Sequence, residues 1–313
     1  MNRFKIIYIL FFIGLLAFEG QAQQDALYSQ YMFNPLAINP AYAGSRNTIS
    51  GVLLHRNQWV GMIGAPKTNS LALHSPIKGK NFGLGLNLLS ETIGPTRNST
   101  ILGTYAYHLD LGKGKISFGL RGGVYSTVLR NDLLSYTNDS GKETGSFKST
   151  RPNFDFGTYY HTDKFYVGLS ANHLGKTKFE KGNSKLILST HYMAFIGKAF
   201  VLNKNLVIKP SGMIKYTSGA PLNYDLNASI LLKKVLWLGA SYRSSLNSIF
   251  NKSGQENSLI FISEFNITQS FRVGYSYDLN LGAIKRYNSG SHEIFLGADL
   301  YSKRKKSISP RYL

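Results

Sequence analysis

Apolar and polar residues alternate with a period of two along most of this chain, from about Thr48 onward. In the run from Lys115 to Leu129, Ile116, Phe118, Leu120, Val124 and Val128 share one parity, while Ser117, Gly119, Arg121, Gly123 and Thr127 share the other. Phe271, Val273, Tyr275 and Tyr277 oppose Arg272, Gly274, Ser276 and Asp278 in the same way. Successive side chains of a strand point to opposite faces, so this pattern describes strands whose two faces meet different surroundings. About fourteen segments carry it: 48–56, 68–75, 82–90, 98–110, 116–129, 153–161, 165–172, 185–199, 205–216, 222–232, 235–244, 257–265, 270–278 and 292–301. Clean alternation over about ten residues fits strands with lipid on one side and a polar lumen on the other. A soluble sandwich would use shorter strands, about five or six residues long.

The connections follow an order of their own. Those after the even-numbered segments are short, and all but the one at 266–269 are basic, carrying Lys78, Lys80, Lys113, Lys115, Lys164, Lys204, Lys233 and Lys234. Those after the odd-numbered segments are mostly longer. Short turns facing the periplasm and long loops facing outward are the rule for bacterial outer-membrane barrels, whose strand number is even. The expected fold is therefore all-β: a transmembrane antiparallel β-barrel of about 14 strands over residues 48–301, with both termini periplasmic and a basic periplasmic tail at 302–313.

Composition supports this picture. The 313 residues include 20 Tyr and 19 Phe, yet mean hydropathy is only −0.14, too polar for a bundle of apolar helices. The absence of cysteine removes disulfide frameworks, thiolate metal sites and thiol nucleophiles. At the N-terminus, Arg3 and Lys5 precede an apolar run from Ile6 to Phe18, and Gly20-Gln21-Ala22 offers small residues for cleavage, which reads as a secretory signal peptide over residues 1–22. The run is too short to span a bilayer as a helix.

The net charge of +20 sits largely in the short turns and the tail, where it forms a basic collar for an acidic periplasmic partner, for anionic lipid, or simply for solvation. Nucleic acid is disfavoured because no binding-fold signature accompanies the charge. Parity places Arg121, Lys209, Lys215, Arg243 and Arg272 in the lumen beside Asp155, Asp225, Glu264, Asp278 and Asp299. Charges withdrawn from water must pair, so these form either a cross-lumen network or a socket for an inserted segment. The seven histidines are scattered, with no HExxH, and there is neither a GxSxG elbow nor a phosphate-binding loop. No catalytic, cofactor or metal site is expected.

The stretch 23–47, before the first strand, is the most distinctive. It contains two Asn-Pro steps, Asn34-Pro35 and Asn39-Pro40, that break regular structure, together with Tyr28, Tyr31, Phe33 and Tyr42. A segment this apolar is expected to fold against or into the periplasmic mouth as a plug. A second candidate is the loop from Gln58 and Trp59 to Pro66, where Trp59, Val60, Met62 and Ile63 make an apolar surface suited to a binding hot spot or to folding inward over the mouth.

Several motifs together are similar to one family. Tyr28-Ser29-Gln30-Tyr31-Met32-Phe33-Asn34-Pro35, Ile38-Asn39-Pro40-Ala41-Tyr42-Ala43-Gly44, Arg56-Asn57-Gln58-Trp59, Gly64-Ala65-Pro66-Lys67-Thr68 and His74-Ser75-Pro76 occur in order, followed by Gly239-Ala240-Ser241-Tyr242-Arg243, Gly274-Tyr275-Ser276-Tyr277-Asp278 and Ser291-His292-Glu293. The chain resembles the PorP/SprF family of Bacteroidetes outer-membrane proteins, tied to type IX secretion and gliding motility. One departure is Ser90-Glu91 before Ile93-Gly94, where family members often carry Asp. The resemblance implies a non-enzymatic barrel that partners a secreted surface protein with a type B sorting domain, and periplasmic or outer-membrane type IX components. A local likeness of Asn39-Pro40-Ala41 to the hatch-region motif of fourteen-stranded fatty-acid channels of the FadL type keeps a passive transport channel as the alternative.

Overall fold

The computed structural model describes residues 28–46, 48–130, 146–175, 177–181, 184–246 and 257–300. The signal-peptide reading and the basic tail fall outside these residues. Strands β1 (Ile49–Asn57), β2 (Lys67–Pro76), β3 (Phe82–Ile93), β4 (Thr96–Leu111), β5 (Gly114–Arg130), β6 (Ser146–His161) and β7 (Phe165–Asn172) form the first half of the sheet. A separate hairpin of β8 (Thr177–Lys181) and β9 (Ser184–Leu188) follows. The second half is β10 (His191–Lys198), its short continuation β11 (Phe200–Asn203), then β12 (Leu206–Thr217), β13 (Asn223–Leu232), β14 (Leu236–Ser245), β15 (Ser258–Asn266), β16 (Phe271–Asn280) and β17 (Ser291–Leu300). Every neighbour pairs antiparallel, and β1 pairs with β17 from Ile49↔Leu300 to Asn57↔His292, closing a fourteen-stranded barrel. Closure leaves no open sheet edge, the condition for a sheet to cross a bilayer.

Two strand boundaries differ from the expectation by more than three residues. The segment 185–199 divides, because 184–188 pairs with 177–181 outside the barrel and only His191–Lys198 crosses. Strand β6 begins at Ser146 instead of 153, since its extension pairs with the end of β5 up to Arg130↔Ser146.

Outward positions are apolar, among them Leu53, Ile101, Leu120, Leu169, Ile214, Leu226, Phe261 and Leu296, all exposed as a lipid face requires. Inward positions mix polar and aromatic side chains: Asn227, Ser229 and Ser276 are buried in mid-strand, and the inward aromatics Tyr159, Tyr166 and Trp237 stand near the short-turn ends of their strands. The hydrophobic core is accordingly not between sheets. It lies inside the barrel, where Tyr31, Phe33, Leu36, Ile38, Ala41 and Tyr42 of the N-terminal segment pack against Phe195, Met213, Trp237, Ile260 and Phe295 of the wall. Burying six such side chains contributes on the order of 10 kcal/mol.

Candidate functional site: a lumen filled by the N-terminal segment

Three short 3-10 turns, Tyr31–Phe33, Pro35–Ala37 and Pro40–Tyr42, give the segment its shape. Each Asn-Pro step places Pro at the first position of a turn, where its missing N–H costs nothing. Asn39 does more than start a turn. Its Oδ1 accepts from Ala41 N at 2.9 Å, and its Nδ2 donates to the Thr158 and Leu169 carbonyls of β6 and β7 at 2.9 and 3.1 Å. Two wall glycines make room for it. A Cβ at Gly119 would overlap the backbone of Pro40 and Ala41, and one at Gly157 would overlap the Asn39 amide. These strand glycines serve close approach of a second backbone.

Lumen charges complete the seat, and parity had placed most of them. Arg56 of β1 reaches Asp278 at 2.6 Å, Glu293 at 3.2 Å and Ser29 Oγ at 2.6 Å. Glu293 accepts from the Ser29 and Gln30 amides at 3.0 and 2.9 Å. Arg243, paired with Asp225 at 2.7 Å, donates to the Tyr28 carbonyl at 2.9 Å, and Arg121, paired with Asp155, donates to the Leu36 carbonyl at 2.9 Å. At the other end Arg46 pairs with Asp299 at 3.1 Å, and the Gly44 amide donates to His74 Nδ1 at 3.1 Å. The buried Lys209 ammonium sits 4.3 Å from the Trp237 ring centroid and 5.0 Å from that of Phe33. The network and the socket are thus one construction: Arg56, Asp278, Glu293, Arg121 and Arg243 pair with one another or with their neighbours and also bond the segment, through the Ser29 hydroxyl or its backbone.

The segment runs in an unexpected direction. Tyr28 and Ser29 contact Arg243, Asp278, Glu293 and Arg56, which lie near the long-loop ends of their strands. Gly44 and Arg46 contact His74 and Asp299 at the short-turn end, so the segment descends through the lumen instead of folding against one mouth. Cavities remain on both sides. One of about 380 Å³ opens at the short-turn mouth between Gly44, Lys80, His108, Lys115 and His161. The other, about 70 Å³ beside Ile38, Ser70, Thr100 and Asn172, is sized for a few waters.

Of the expected site residues, Tyr28, Tyr31, Phe33, Asn34, Pro35, Asn39 and Pro40 come together in this seat. Gln58, Trp59 and Pro66 do not join it and belong to the β1–β2 loop. That loop is braced: Gln58 N donates to Pro66 O, Val60 N to Gly290 O, Trp59 N to Ser291 Oγ and Gly94 N to Gly64 O. Gln58 and Pro66 are buried and Trp59 is half-buried, with φ of 46° in the left-handed region, so the exposed apolar tip is Ile63 instead of Trp59. Arg46 and Gly157 were absent from the sequence expectation, while Arg56 and Glu293 entered it only within motifs and Gly119 only by its lumen parity. Parity carried a further signal for Arg56 and Glu293, since Arg56 opposes outward His55 and Glu293 opposes outward His292.

A closed fourteen-stranded barrel with a lipid-facing exterior and a lumen occupied by its own chain defines an outer-membrane barrel of the plugged kind. Residues 20–298 match the model of the type IX secretion system membrane protein PorP/SprF, and the chain belongs to that family. Among solved structures it is similar to the toluene transporter TbuX of Ralstonia pickettii (TM-score 0.53, 10% identity, 85% of this chain and 93% of that one). It is similar also to the CymD monoaromatic hydrocarbon channel (TM-score 0.52, 14% identity, 90% and 96%). At these identities the likeness is one of fold. Among curated proteins none matches the sequence significantly.

Proposed function

We propose that this barrel works in type IX secretion by recognition, holding a cognate secreted protein that carries a type IX sorting domain at the cell surface without catalysing a reaction. The observation that carries the reading is the occupied lumen. A segment fixed across the lumen by buried ion pairs closes an open pore, as a channel's hatch also would, and it gives a docking platform rigidity. Family membership supports the type IX context. The outward binding element is the braced Gln58–Pro66 loop with Ile63 at its tip, because an ordered apolar tip loses little conformational freedom on binding. The exposed lysines of the short turns make the opposite rim a basic collar suited to acidic periplasmic components of the machinery. A role in gliding motility follows if the held protein is an adhesin.

The second reading, a passive channel, is favoured by one observation: the two solved structures of similar fold above are described as a toluene transporter and a monoaromatic hydrocarbon channel. Deleting the gene separates the two. Recognition predicts that one or a few large surface proteins leave the cell exterior and that the lost protein co-purifies with the tagged barrel. An unchanged surface proteome with reduced solute uptake contradicts it. Within that assay, Ile63→Asp is expected to leave folding unaltered, since the side chain is fully exposed, and to reduce co-purification at least tenfold, a loss typical of an apolar anchor residue.

A further inference from the structure

The outward faces of β2 to β6 change chemistry in three steps toward the long-loop rim, and the strand registers align the steps across all five strands. Leu71, Leu88, Ile101, Val124 and Pro152 stand side by side as the last apolar row. Two residues nearer the rim, Asn69, Ser90, Ser99, Ser126 and Thr150 form a continuous row of hydroxyls and an amide. Two residues further, Lys67, Thr92, Arg97, Val128 and Lys148 form a third row whose three cations are all exposed. Among the described residues of β1 to β6, no carboxylate projects outward near these rows; Glu91 and Asp155 both point inward and are buried.

The rows are inclined, because they follow the hydrogen bonds at right angles to strands tilted by about 40°: each shifts by roughly 3 Å in height per strand, so Lys67 and Lys148 differ by about 12 Å. From Leu109 to Ile101, β4 is apolar on its outward face over about 27 Å of strand at roughly 3.4 Å per residue. With a tilt of about 40° this spans about 21 Å, close to the apolar band of such barrels. Arg97 then stands about 10 Å above Ile101, at the level of head groups. On the other side of the barrel the long-loop ends of the strands carry aromatics instead. There Tyr192 stacks on Tyr216 at 6.3 Å and Tyr224 packs on Tyr242 at 6.4 Å, the ordinary aromatic girdle. A hydroxyl row beneath a cation row is not a girdle. Hydroxyls and amides suit sugar hydroxyls, and Arg with Lys suits phosphate.

We infer that the outward face of β2 to β6 is a binding site for the phosphorylated-sugar head group of a glycolipid in the outer leaflet. Phosphates lie along Lys67, Arg97 and Lys148, and the sugar rests on Asn69, Ser90, Ser99, Ser126 and Thr150. The inference relies on the long loops facing outward, as in the function proposed above.

The test uses the full chain purified in detergent and native mass spectrometry with three probes: diphosphoryl lipid A, the same lipid with its phosphates removed, and phosphatidylglycerol. The wild type is expected to half-saturate with diphosphoryl lipid A at a concentration at least tenfold lower than with either other probe. Lys67→Gln/Arg97→Gln/Lys148→Gln loses that preference, while Lys285→Gln/Arg286→Gln, in the β16–β17 loop, keeps it. If the triple variant fails to fold, each single variant, at an exposed position, is expected to weaken binding at least threefold. A triple variant that binds as the wild type does, or equal uptake of phosphatidylglycerol, overturns the assignment. Because the chain has no cysteine, Ile63→Cys labelled by an impermeant maleimide on intact cells reads loop orientation separately. Labelling without lipid preference removes this inference alone, and absence of labelling removes the outward orientation beneath it.

Discussion

Arg56→Ala is expected to destabilise the barrel by about 3–5 kcal/mol, the cost of leaving buried partner charges uncompensated. Arg56 is 2% exposed and holds Asp278, Glu293 and Ser29 at once, so its removal leaves two carboxylates in a lumen site filled by the segment. The loss does not divide evenly among the contacts. Most of it comes from the stranded carboxylates, and adding Asp278→Asn with Glu293→Gln to an Arg56→Met chain is expected to recover more than half of it. Urea unfolding followed by heat-modifiable gel mobility gives the stability. Fluorescence of Trp237, in a Trp59→Phe background, reports whether Phe33 still seats beside it. A loss below about 1 kcal/mol would mean that water reaches this cluster and the segment is loosely held.

Gly119→Leu has a different expected signature. A side chain there meets the backbone of Pro40 and Ala41, which cannot swing aside as a flexible tip would. The wall itself keeps its pairing with Ala106 and Gly157. The variant is expected to fold as a barrel with its segment displaced, giving red-shifted Trp237 emission and protease cleavage between residues 28 and 46. Gly103→Leu on the neighbouring strand is the matched control. Gly103 faces outward with open space for a Cβ, so its replacement is expected to stay within about 0.5 kcal/mol of the parent. Equal behaviour of the two variants would show that segment and wall are not in register as described.

These contrasts mark how far the sequence could be read. Period two was enough to place Arg121, Lys209, Arg243, Arg272, Asp155, Asp225 and Asp278 in the lumen, because a strand's parity decides its face without knowledge of its neighbours. The apolar Asn-Pro segment was legible as a plug for a similar reason: its aromatics needed somewhere to be buried. The strands that receive it were not legible. Gly119 and Gly157 look like any strand glycine until Asn39 and Pro40 are seen against them, and that juxtaposition joins residues about 80 to 120 positions apart. The division of 185–199 was missed although Gly182-Asn183 is a hairpin signal, because alternation continues unbroken past Leu188 and hides the point where the chain leaves one sheet and enters another. The direction of the segment was hidden too, since Arg56 and Glu293 fix Ser29 and Gln30 near the long-loop end only through strand registers.

Channel recordings test the central claim most directly. Full-length barrel and a chain lacking residues 28–44 are each inserted into planar bilayers at matched amounts, with heat-modifiable mobility confirming that both are folded. The account predicts no stable open state for the full-length barrel and large, steady conductance steps once the segment is gone. Steady ohmic conductance from the full-length barrel, unchanged by the deletion, would contradict a lumen closed by its own chain and would return the protein to the class of passive channels.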